Sequence, residues 1–269
     1  MSFFNYIAKR YDYFIEGVNE MKFIFDLDGT ICFQGKPLSN AMVQALEELL
    51  EKGHEVILAS ARPIRDLLPI LPRHFYQLPM VGGNGAFVAK EGQIISSTHF
   101  DKQTSEKIIQ LIEKYKAQYL VDSEWDYAYT GDENHPIRMN LDTLQQAEKV
   151  ELHKLNKVVK VVILHSNNQE NLLHELKQLP VEICNHGREG ILDISPLGVD
   201  KWNGLQKLGV LSKQFIAFGN DANDIPMFLQ AQSSVCIGNY EELIKIATAQ
   251  VANEEALVLN KLKEIAKEL

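Results

Sequence analysis

Short apolar runs alternate with amphipathic helical stretches near both ends of the chain, and this alternation constrains the fold more than any other feature. The runs Lys22–Phe25, Glu55–Ala59 and Phe215–Phe218 have the length of buried strands, and each is followed by polar residues. Strands that alternate with helices in this way are typical of a parallel sheet covered by helices on its faces. We therefore predict an α/β protein with a doubly wound, mostly parallel sheet.

One helix after the first run carries both its start and stop signals. Ser39 is suited to cap a helix over residues 41–52, and Gly53 is suited to end it. The apolar positions of that stretch fall on one helical face, formed by Met42, Ala45, Leu46 and Leu49. This face is expected to pack on the predicted sheet.

The middle of the chain has a different pattern. Two apolar segments, Phe87–Ala89 and Gln93–Ile95, flank Glu91-Gly92 and predict a hairpin. Amphipathic helices are predicted over residues 101–117 and 169–179, with strands between them. These elements indicate a second, α+β domain that is inserted into the first.

The inserted domain gives the chain three predicted parts. The first part is an N-terminal extension, residues 1–20, and the second is the sheet domain, residues 21–84 and 191–269. The insert is predicted over residues 85–190, because the glycine-rich segments Gly82–Gly85 and Gly187–Gly190 resemble hinges between domains.

Residues 1–20 have apolar side chains at helical spacing, interrupted by charges that argue against a signal peptide. We predict a short amphipathic helix that docks on its own domain. Binding of this helix to a partner or to a membrane surface is the alternative. Met21 is also an alternative start, because the first predicted strand begins directly after it.

Charge and composition narrow the classes of partner. The 269 residues carry a net charge of -9, so there is no basic surface to indicate nucleic acid binding. No apolar run reaches the roughly 20 residues that a membrane span requires. The three cysteines lie far apart in the sequence, which fits a reducing compartment and predicts a cytoplasmic protein. The sequence leaves the oligomeric state open.

The segment Asp26-Leu27-Asp28-Gly29-Thr30 directly follows the first apolar run. Residues i and i+2 of an extended segment point to the same side, so Asp26 and Asp28 can face one pocket. Two close carboxylates repel each other unless a cation lies between them, and Mg²⁺ prefers such oxygen ligands. One carboxylate can attack phosphorus while the other transfers protons. A polar turn in which Asp28 caps a helix is the structural alternative.

Three further segments follow other predicted strands in the same way. Ser60 ends the second apolar run and can hold phosphate oxygens, Lys201 opens a predicted helix and can neutralise a phosphoryl group, and the oxygen-rich segment 219–224 suits a metal site. Each feature alone is more simply a capping serine, a surface lysine or a solvated turn. Together they supply a nucleophile, a proton carrier, a phosphate clamp and metal ligands.

These motifs resemble those of the haloacid dehalogenase superfamily of phosphatases, in particular the Cof-type group with a C2 cap. The patterns D-x-D-G-T, S-x-R-P, the helix-opening lysine and G-x-x-x-N-D-I-x-M occur in order, and the resemblance extends from Met21 to the C-terminus. It implies that the inserted domain is the C2 cap, which closes over the site, excludes water and selects the substrate.

The resemblance also implies a role for each site residue. Asp26 is the expected nucleophile and Asp28 the expected general acid and base. The expected phosphate contacts come from Leu27, Ser60, Ala61, Lys201 and Asn223. The candidate ligands of the expected cofactor, Mg²⁺, are Asp26, Asp28 (through its backbone carbonyl), Asn220, Asp221 and Asp224.

One position departs from the family pattern G-D-x-x-N-D. Asn220 stands where that pattern has the metal-binding Asp, counting back from Asn223-Asp224. An amide oxygen can still bind Mg²⁺ but adds no negative charge. Asp221 or Asp224 is expected to compensate, directly or through water. A smaller departure is Trp202, where the family often has Gly.

The predicted function is Mg²⁺-dependent hydrolysis of a small phosphate monoester, through a phospho-aspartate on Asp26. Sugar phosphates, pyridoxal phosphate and flavin mononucleotide are all compatible substrates. A phosphotransferase or mutase that acts on a sugar phosphate is the first alternative. A non-catalytic sensor that retains the fold is the second.

Overall fold

The computed structural model describes residues 20–186 and 190–269, which form two separate β-sheets. The predicted N-terminal helix and most of the segment Gly187–Gly190 lie outside the described residues. The strands, in chain order, are β1 Lys22–Phe25, β2 Glu55–Ala59, β3 Met80–Gly82, β4 Phe87–Lys90, β5 Gln93–Ser97, β6 Gln118–Asp122, β7 Tyr127–Tyr129, β8 Lys160–His165, β9 Val181–His186, β10 Ile191–Pro196, β11 Phe215–Gly219, β12 Ser233–Ile237 and β13 Ala249–Val251.

The α-helices lie mostly between these strands. They are α1 Asn40–Glu51, α2 Ile64–Leu67, α3 Lys102–Lys114, α4 Pro136–Asn140, α5 Gln169–Leu176, α6 Lys201–Lys207, α7 Ile225–Gln230, α8 Glu241–Ile244 and α9 Glu255–Glu268. Short 3₁₀ turns cover Leu68–Ile70, Arg73–Gln77, Gly83–Gly85, Leu152–Lys154 and Ala222–Asp224. In the described residues, no helix combines the length and the apolar character needed to cross a bilayer.

The larger sheet has eight strands in the order β13-β12-β11-β1-β2-β3-β4-β5. The six strands from β13 to β3 run parallel, and the hairpin β4–β5 adds two antiparallel strands at one edge. The hairpin predicted around Glu91-Gly92 is therefore confirmed. Glu91 and Gly92 both have positive φ, at 54° and 73°, which the tight turn between the two strands requires.

Helices cover both faces of the larger sheet, as the sequence predicts. Phe23 and Phe25 pack with α1 and α9 on one face, whereas Ile24 packs with α6, α7 and α8 on the other. Successive side chains of a strand point to opposite faces, so the three consecutive apolar residues of β1 serve two cores. The doubly wound α/β fold is confirmed.

The helix starts follow local rules. Ser39 accepts a hydrogen bond from the Met42 N–H at 3.1 Å, which confirms it as the cap of α1. Asp101 caps α3 through Thr104, and Asp200 caps α6 through Asn203. An N-terminal cap of this kind contributes about 1 kcal/mol. The cap at Asp200 also fixes the chain directly before Lys201.

The smaller sheet has five strands, all antiparallel, in the order β7-β6-β8-β10-β9. Its apolar face packs against α3 and α5 through residues such as Ile108, Ile112 and Leu172. Since all of these strands and both helices come from the middle of the sequence, they form an α+β unit with its own core.

Sheet membership differs at two places from the residue limits predicted for the insert. The hairpin β4–β5 belongs to the larger sheet, and β10 belongs to the smaller one. The reason is pairing: β4 continues the sheet beside β3, whereas β10 lies between β8 and β9. We propose that the inserted unit joins the core at residues 98–101 and 197–200, not at residues 85 and 190.

Two further predicted elements change in the structure. Instead of an exposed hinge, Gly82–Gly85 is the buried end of β3 followed by the buried 3₁₀ turn Gly83–Gly85, beside α6. The sequence also predicts a helix over about residues 241–249. In the structure this helix ends at Ile244, and Ala249–Val251 pairs with β12 as the edge strand β13. A tertiary pairing thus overrides the local preference of this segment.

The tight turn at Gly85 generates a prediction about stability. Gly85 has φ of 110°, and a β-carbon there would overlap the Asp200 carbonyl, immediately before Lys201. We expect Gly85→Ala to lower the free energy of unfolding by about 2–4 kcal/mol through backbone strain and overlap. Urea denaturation, followed by circular dichroism, measures this loss.

Gly209→Ala is the matched control, because Gly209 has φ of 79° and nothing within 4 Å of a β-carbon. Strain alone should cost about 1 kcal/mol there. Equal losses in the two variants would contradict the close packing of Gly85 on Asp200.

Candidate active site

Most of the predicted site residues follow three neighbouring strands, whereas Lys201 opens α6, after β10 of the smaller sheet. In the larger sheet β1 lies between β11 and β2, and the three strands are parallel. The segments after Phe25, Ala59 and Gly219 therefore leave the sheet at the same edge. The backbone N–H of Asp26 donates to the Phe218 carbonyl at 2.9 Å, which holds the first of these segments against the third.

The carboxylate of Asp26 is buried and accepts two hydrogen bonds from side chains. The Thr30 hydroxyl donates to Oδ2 at 2.8 Å, and the Lys201 ammonium donates to Oδ1 at 2.7 Å. Lys201 also donates to Oδ1 of Asp224 at 2.6 Å, and its side chain is fully buried. One buried cation thus lies between two buried carboxylates.

Burial and charge act in opposite directions in this cluster. Burial raises the pKa of Asp26 to about 7, although Lys201 and the Thr30 hydroxyl counteract that rise. Burial by itself would lower the pKa of Lys201, but Asp224 and Asp26 outweigh it and raise this pKa. The lysine therefore remains charged, while the Asp26 carboxyl titrates near neutral pH in the metal-free protein.

Asp28 has a more open environment than Asp26. Its carboxylate is 44% exposed and accepts a bidentate pair from Arg62, at 2.7 Å from Nε and 2.6 Å from a terminal nitrogen. Leu27, between the two acids, is fully buried, and its carbonyl accepts three backbone N–H groups from residues 30–32. This loop therefore separates the exposed carboxylate of Asp28 from the buried carboxylate of Asp26.

Ser60 and Ala61 form the loop after β2. The Ser60 hydroxyl oxygen accepts the Arg62 N–H at 3.1 Å, as in a local serine turn, and its own proton remains available to a further acceptor. The carbonyl of Ala61 accepts the Lys160 ammonium at 2.6 Å. Since Lys160 begins β8, this bond connects the loop to the smaller sheet.

The loop after β11 is organised by Asp224. Its Oδ2 accepts the backbone N–H groups of Asn220 and Asp221 at 2.8 and 3.1 Å, while Oδ1 binds Lys201. Asp221 caps the short turn Ala222–Asp224. The amide of Asn223 donates to the side-chain oxygen of Asn84 at 3.0 Å. Both oxygens of Asp224 are therefore already engaged.

Asn220 shares a possible hydrogen-bond donor, the Thr30 hydroxyl, with the nucleophile candidate Asp26. The Thr30 hydroxyl is 3.3 Å from its amide oxygen and 2.8 Å from Asp26 Oδ2. A hydroxyl has one proton, so it can satisfy only one of the two oxygens at a time. The oxygen that does not receive this proton favours a cation beside Asp26 and Asn220.

The family model described as haloacid dehalogenase-like hydrolase matches residues 23–256. The chain belongs to this family. The match spans both sheets and every candidate site residue, so the haloacid dehalogenase assignment covers the whole described site.

Similar proteins of this family include enzymes with different substrates. The 5-amino-6-(5-phospho-D-ribitylamino)uracil phosphatase YitU of Bacillus subtilis is 28% identical over 258 residues, covering 89% of this chain and 95% of that enzyme. The pyridoxal phosphate phosphatase YbhA of Escherichia coli is 26% identical, covering 82% of this chain and 88% of that enzyme. This chain is a haloacid dehalogenase phosphatase, a phosphoric monoester hydrolase.

A solved structure agrees with the fold. The sugar phosphatase BT4131, of haloacid dehalogenase subclass IIB, superposes with a TM-score of 0.72 at 18% identity. The superposition covers 91% of this chain and 99% of that one. This likeness concerns the fold alone.

The donor chemistry of this haloacid dehalogenase site suits Mg²⁺. In residues 20–186 and 190–269, no three side chains of the His, Cys, Asp or Glu types converge as a metal cluster. The candidate donors are instead of mixed type: the Asp26 carboxylate, the Asp28 backbone carbonyl and the Asn220 amide oxygen. All are oxygens, and Mg²⁺ commonly takes one or two carboxylates and completes its shell with water and phosphate.

Several residues in this haloacid dehalogenase site received no role from the sequence. Thr30 and Arg62 belong to the quoted motifs, and the structure places them on Asp26 and Asp28. Asn84 and Lys160 come from other parts of the chain. The one sequence signal for Asn84 was its place between glycines, whereas Lys160 begins an ordinary apolar strand.

The hydrogen bond from Thr30 generates a prediction about the pKa of Asp26. The Thr30 hydroxyl favours the charged carboxylate, so its removal in Thr30→Val should raise this pKa above its value of about 7. We expect the Asp26 carboxyl of the metal-free variant to stay protonated to higher pH. A carbon-13 NMR titration of labelled aspartate without Mg²⁺ measures the shift.

Thr30→Ser is the control, because it keeps the hydroxyl and should leave the titration close to that of the wild type. A Thr30→Val titration that coincides with the wild type would show that the hydroxyl does not stabilise the ionised form.

Proposed function

We propose that this phosphatase hydrolyses a small phosphate monoester in a Mg²⁺-dependent reaction that passes through a phospho-aspartate on Asp26. The observation that carries the proposal is the placement of Asp26. It is a buried carboxylate at the end of a central strand, held by Lys201 and Thr30, with the loops of Ser60 and Asn223 beside it. Such a carboxylate is fixed in orientation and poorly solvated, which favours its attack on phosphorus.

In the first step, a carboxylate oxygen of Asp26 attacks the phosphorus and the bond between phosphorus and the ester oxygen breaks. Asp28 gives its proton to the departing oxygen, which leaves as an alcohol. The exposed position of Asp28 supports this role, since its carboxyl reaches the solvent side of the site where a leaving group can lie. Arg62 orients the Asp28 carboxyl through its two hydrogen bonds.

In the second step, water attacks the phosphorus of the phospho-aspartate while Asp28 takes its proton. The bond between phosphorus and the Asp26 oxygen breaks, which releases inorganic phosphate and restores the carboxylate. Ser60, Lys201 and Asn223, together with Leu27 and Ala61, are the proposed contacts of the phosphoryl oxygens. Lys201 supplies a fixed positive charge where negative charge accumulates.

The proposed Mg²⁺ ligands are Asp26, the Asp28 carbonyl and Asn220. When bound, the ion would neutralise negative charge on the phosphoryl group and on the Asp26 carboxylate. We assign Asp224 to the loop instead, because Lys201 and two backbone N–H groups engage both of its oxygens. Asp221 remains the alternative to Asn220.

The α+β insert is the proposed cap, and its side chains are proposed to choose the substrate. Small phosphate esters are the proposed class, in line with the substrates named for the relatives. The first substrates to test are 5-amino-6-(5-phospho-D-ribitylamino)uracil, pyridoxal phosphate and a set of hexose phosphates, each at saturating Mg²⁺. Release of inorganic phosphate identifies a hydrolase, whereas transfer to an added sugar identifies a phosphotransferase.

The nucleophile is tested by Asp26→Asn. We expect this variant to lose phosphatase activity entirely while the protein remains folded, because an amide cannot form the phospho-enzyme. Asp28→Asn should retain weak activity, roughly 10²- to 10⁴-fold below the wild type, and accumulate phosphorylated protein. Phosphate release and intact-protein mass spectrometry are the measurements.

During turnover, the mass of the Asp28→Asn protein should increase by one phosphoryl group. The mass of the double variant Asp26→Asn/Asp28→Asn should not change. Substantial turnover by Asp26→Asn, once deamidation has been excluded by mass, would overturn the covalent mechanism.

The metal site is tested by Asn220→Asp. A carboxylate at this position adds negative charge beside Asp26, so the Mg²⁺ concentration for half-maximal activity should fall by roughly threefold to tenfold, or about 0.6–1.4 kcal/mol. The gain is limited, because the added charge also repels Asp26. Steady-state rates over a Mg²⁺ series give the value.

Asp221→Asn is the matched variant, since it replaces a carboxylate by an amide at the next residue, whereas Asn220→Asp replaces an amide by a carboxylate. It should change the Mg²⁺ requirement little. If Asp221→Asn instead abolishes the response to Mg²⁺ and Asn220→Asp leaves it unchanged, Asp221 is the ligand.

A further inference from the structure

Asn84 lies at the meeting point of three parts of the molecule. It is 7% exposed and has left-handed backbone angles, with φ of 56° and ψ of 27°. Its backbone N–H donates to the Ser60 carbonyl at 3.0 Å, and its side-chain oxygen accepts the Asn223 amide at 3.0 Å. Asn tolerates this backbone conformation better than most residues, which is consistent with its place in the turn.

The other half of the Asn84 amide faces the smaller sheet. Its nitrogen donates to Oδ2 of Asp193, on β10, at 3.2 Å. The same oxygen is 2.8 Å from the Lys160 ammonium, and Lys160 in turn donates to the Ala61 carbonyl at 2.6 Å. Asp193 and Lys160 are both nearly fully buried. Buried charges in such a pair are costly to separate.

These contacts fix the orientation of two amides. Asp193 can only accept from the Asn84 amide, so the nitrogen of Asn84 must face β10 and its oxygen must face Asn223. That oxygen then takes one of the two N–H groups of Asn223, which fixes the plane of the Asn223 amide. The second N–H of Asn223 is left for another acceptor.

We propose that Asn84 is a positioning residue for Asn223, and that the buried pair Asp193–Lys160 sets its orientation from the smaller sheet. The proposal rests on the proposed function for the role of Asn223 as a phosphate contact. It predicts that docking of the insert and assembly of the phosphate-binding groups are one event. This coupling passes through four residues, Lys160, Asp193, Asn84 and Asn223, which we call the relay. The hydrogen bond from Lys160 to the Ala61 carbonyl connects the relay to the loop of Ser60 and Ala61 as well.

Exchange of the two acceptor and donor groups tests the relay. Asn84→Asp alone places a second carboxylate against Asp193, and Asp193→Asn alone removes the ion pair of Lys160. In the double variant, the carboxylate at position 84 can accept from Asn223 and from the amide nitrogen at position 193, and the total charge equals that of the wild type. The contact with Lys160 is not restored, because one oxygen of Asp193 serves both Asn84 and Lys160 and an amide nitrogen in its place cannot accept. The double variant therefore repairs only the interaction between positions 84 and 193.

We expect each single variant to lower kcat/KM and to weaken competitive inhibition by inorganic phosphate, both by roughly 10- to 100-fold. The double variant should lose at least about fivefold less than the product of the two single losses, a non-additive result that only interacting positions give, whereas a loss equal to that product would contradict the coupling. Asn84→Asp retains a residue that tolerates the left-handed backbone, so loss of folding is not the expected cause of its defect.

Asp66→Asn is the matched control. Asp66 is a buried acid on α2, and its Oδ1 accepts the backbone N–H of Asp142, in the insert, at 2.8 Å, so it too connects the insert to the core. Its hydrogen bonds go to Arg65 and Asp142, which lie outside the relay. We expect this variant to lower stability and to leave the phosphate inhibition constant within about twofold of the wild type. Equal weakening of phosphate inhibition by Asp66→Asn and Asp193→Asn would overturn the relay in favour of general loosening of the insert.

A second readout does not depend on turnover. The side-chain amide signals of Asn223 in a nitrogen-15 NMR spectrum should shift in Asp193→Asn, although position 193 does not touch Asn223. They should not shift in Asp66→Asn. Unchanged Asn223 signals in Asp193→Asn would overturn the proposal, whereas a wild type that releases no phosphate from any ester would overturn only the proposed function.

Discussion

The buried ammonium of Lys201 between Asp26 and Asp224 is the interaction on which the rest of the site depends. Removal of three charged groups from water is costly, and it is tolerated because each carboxylate oxygen and the ammonium have partners. The same lysine acts on two features at once. It orients the Asp26 carboxylate, and through Asp224 it holds the backbone N–H groups of Asn220 and Asp221. The proposed nucleophile and the loop proposed to bind the metal therefore share one electrostatic anchor, so a change at Lys201 should disturb both.

The location of the site was predictable from the sequence because its main determinants are local. A strand followed by a polar turn is visible in the order of residues, and parallel pairing brings the ends of such strands to one edge. Asp26, Ser60 and Asn220 could thus be placed near each other without coordinates, whereas Lys201 follows β10 of the smaller, antiparallel sheet and reaches Asp26 from the start of α6. The doubly wound sheet followed from the same alternation, and Ser39 and Gly53 marked one helix correctly. The roles of the site residues themselves stay predictions until the proposed variants are measured.

The remaining features depend on pairs that are distant in sequence. Nothing local in Lys160 indicates that its side chain crosses to Ala61, 99 residues earlier in the chain. The limits of the insert differ from the predicted ones for a related reason. Sheet membership depends on which strands pair, and β10 pairs with β8 and β9 of the smaller sheet. The segment after Ile244 became a strand because β12 offered it hydrogen bonds. Local propensity carries little information about such partners.

The first proposed join of the insert lies against the helix that follows the second join, since Thr98 accepts a hydrogen bond from Lys207, at the end of α6, at 2.7 Å. A segment with both ends at the surface of its host domain can be exchanged during evolution for another of different size and shape without disturbing that domain. Within such a lineage, substrate preference can diverge quickly while the chemistry stays constant. The relay through Asn84 sets a condition on that freedom, because any replacement module must present a buried acid where Asp193 stands. Whether a recombined insert supports activity would then depend on this one acidic side chain more than on the overall shape of the insert.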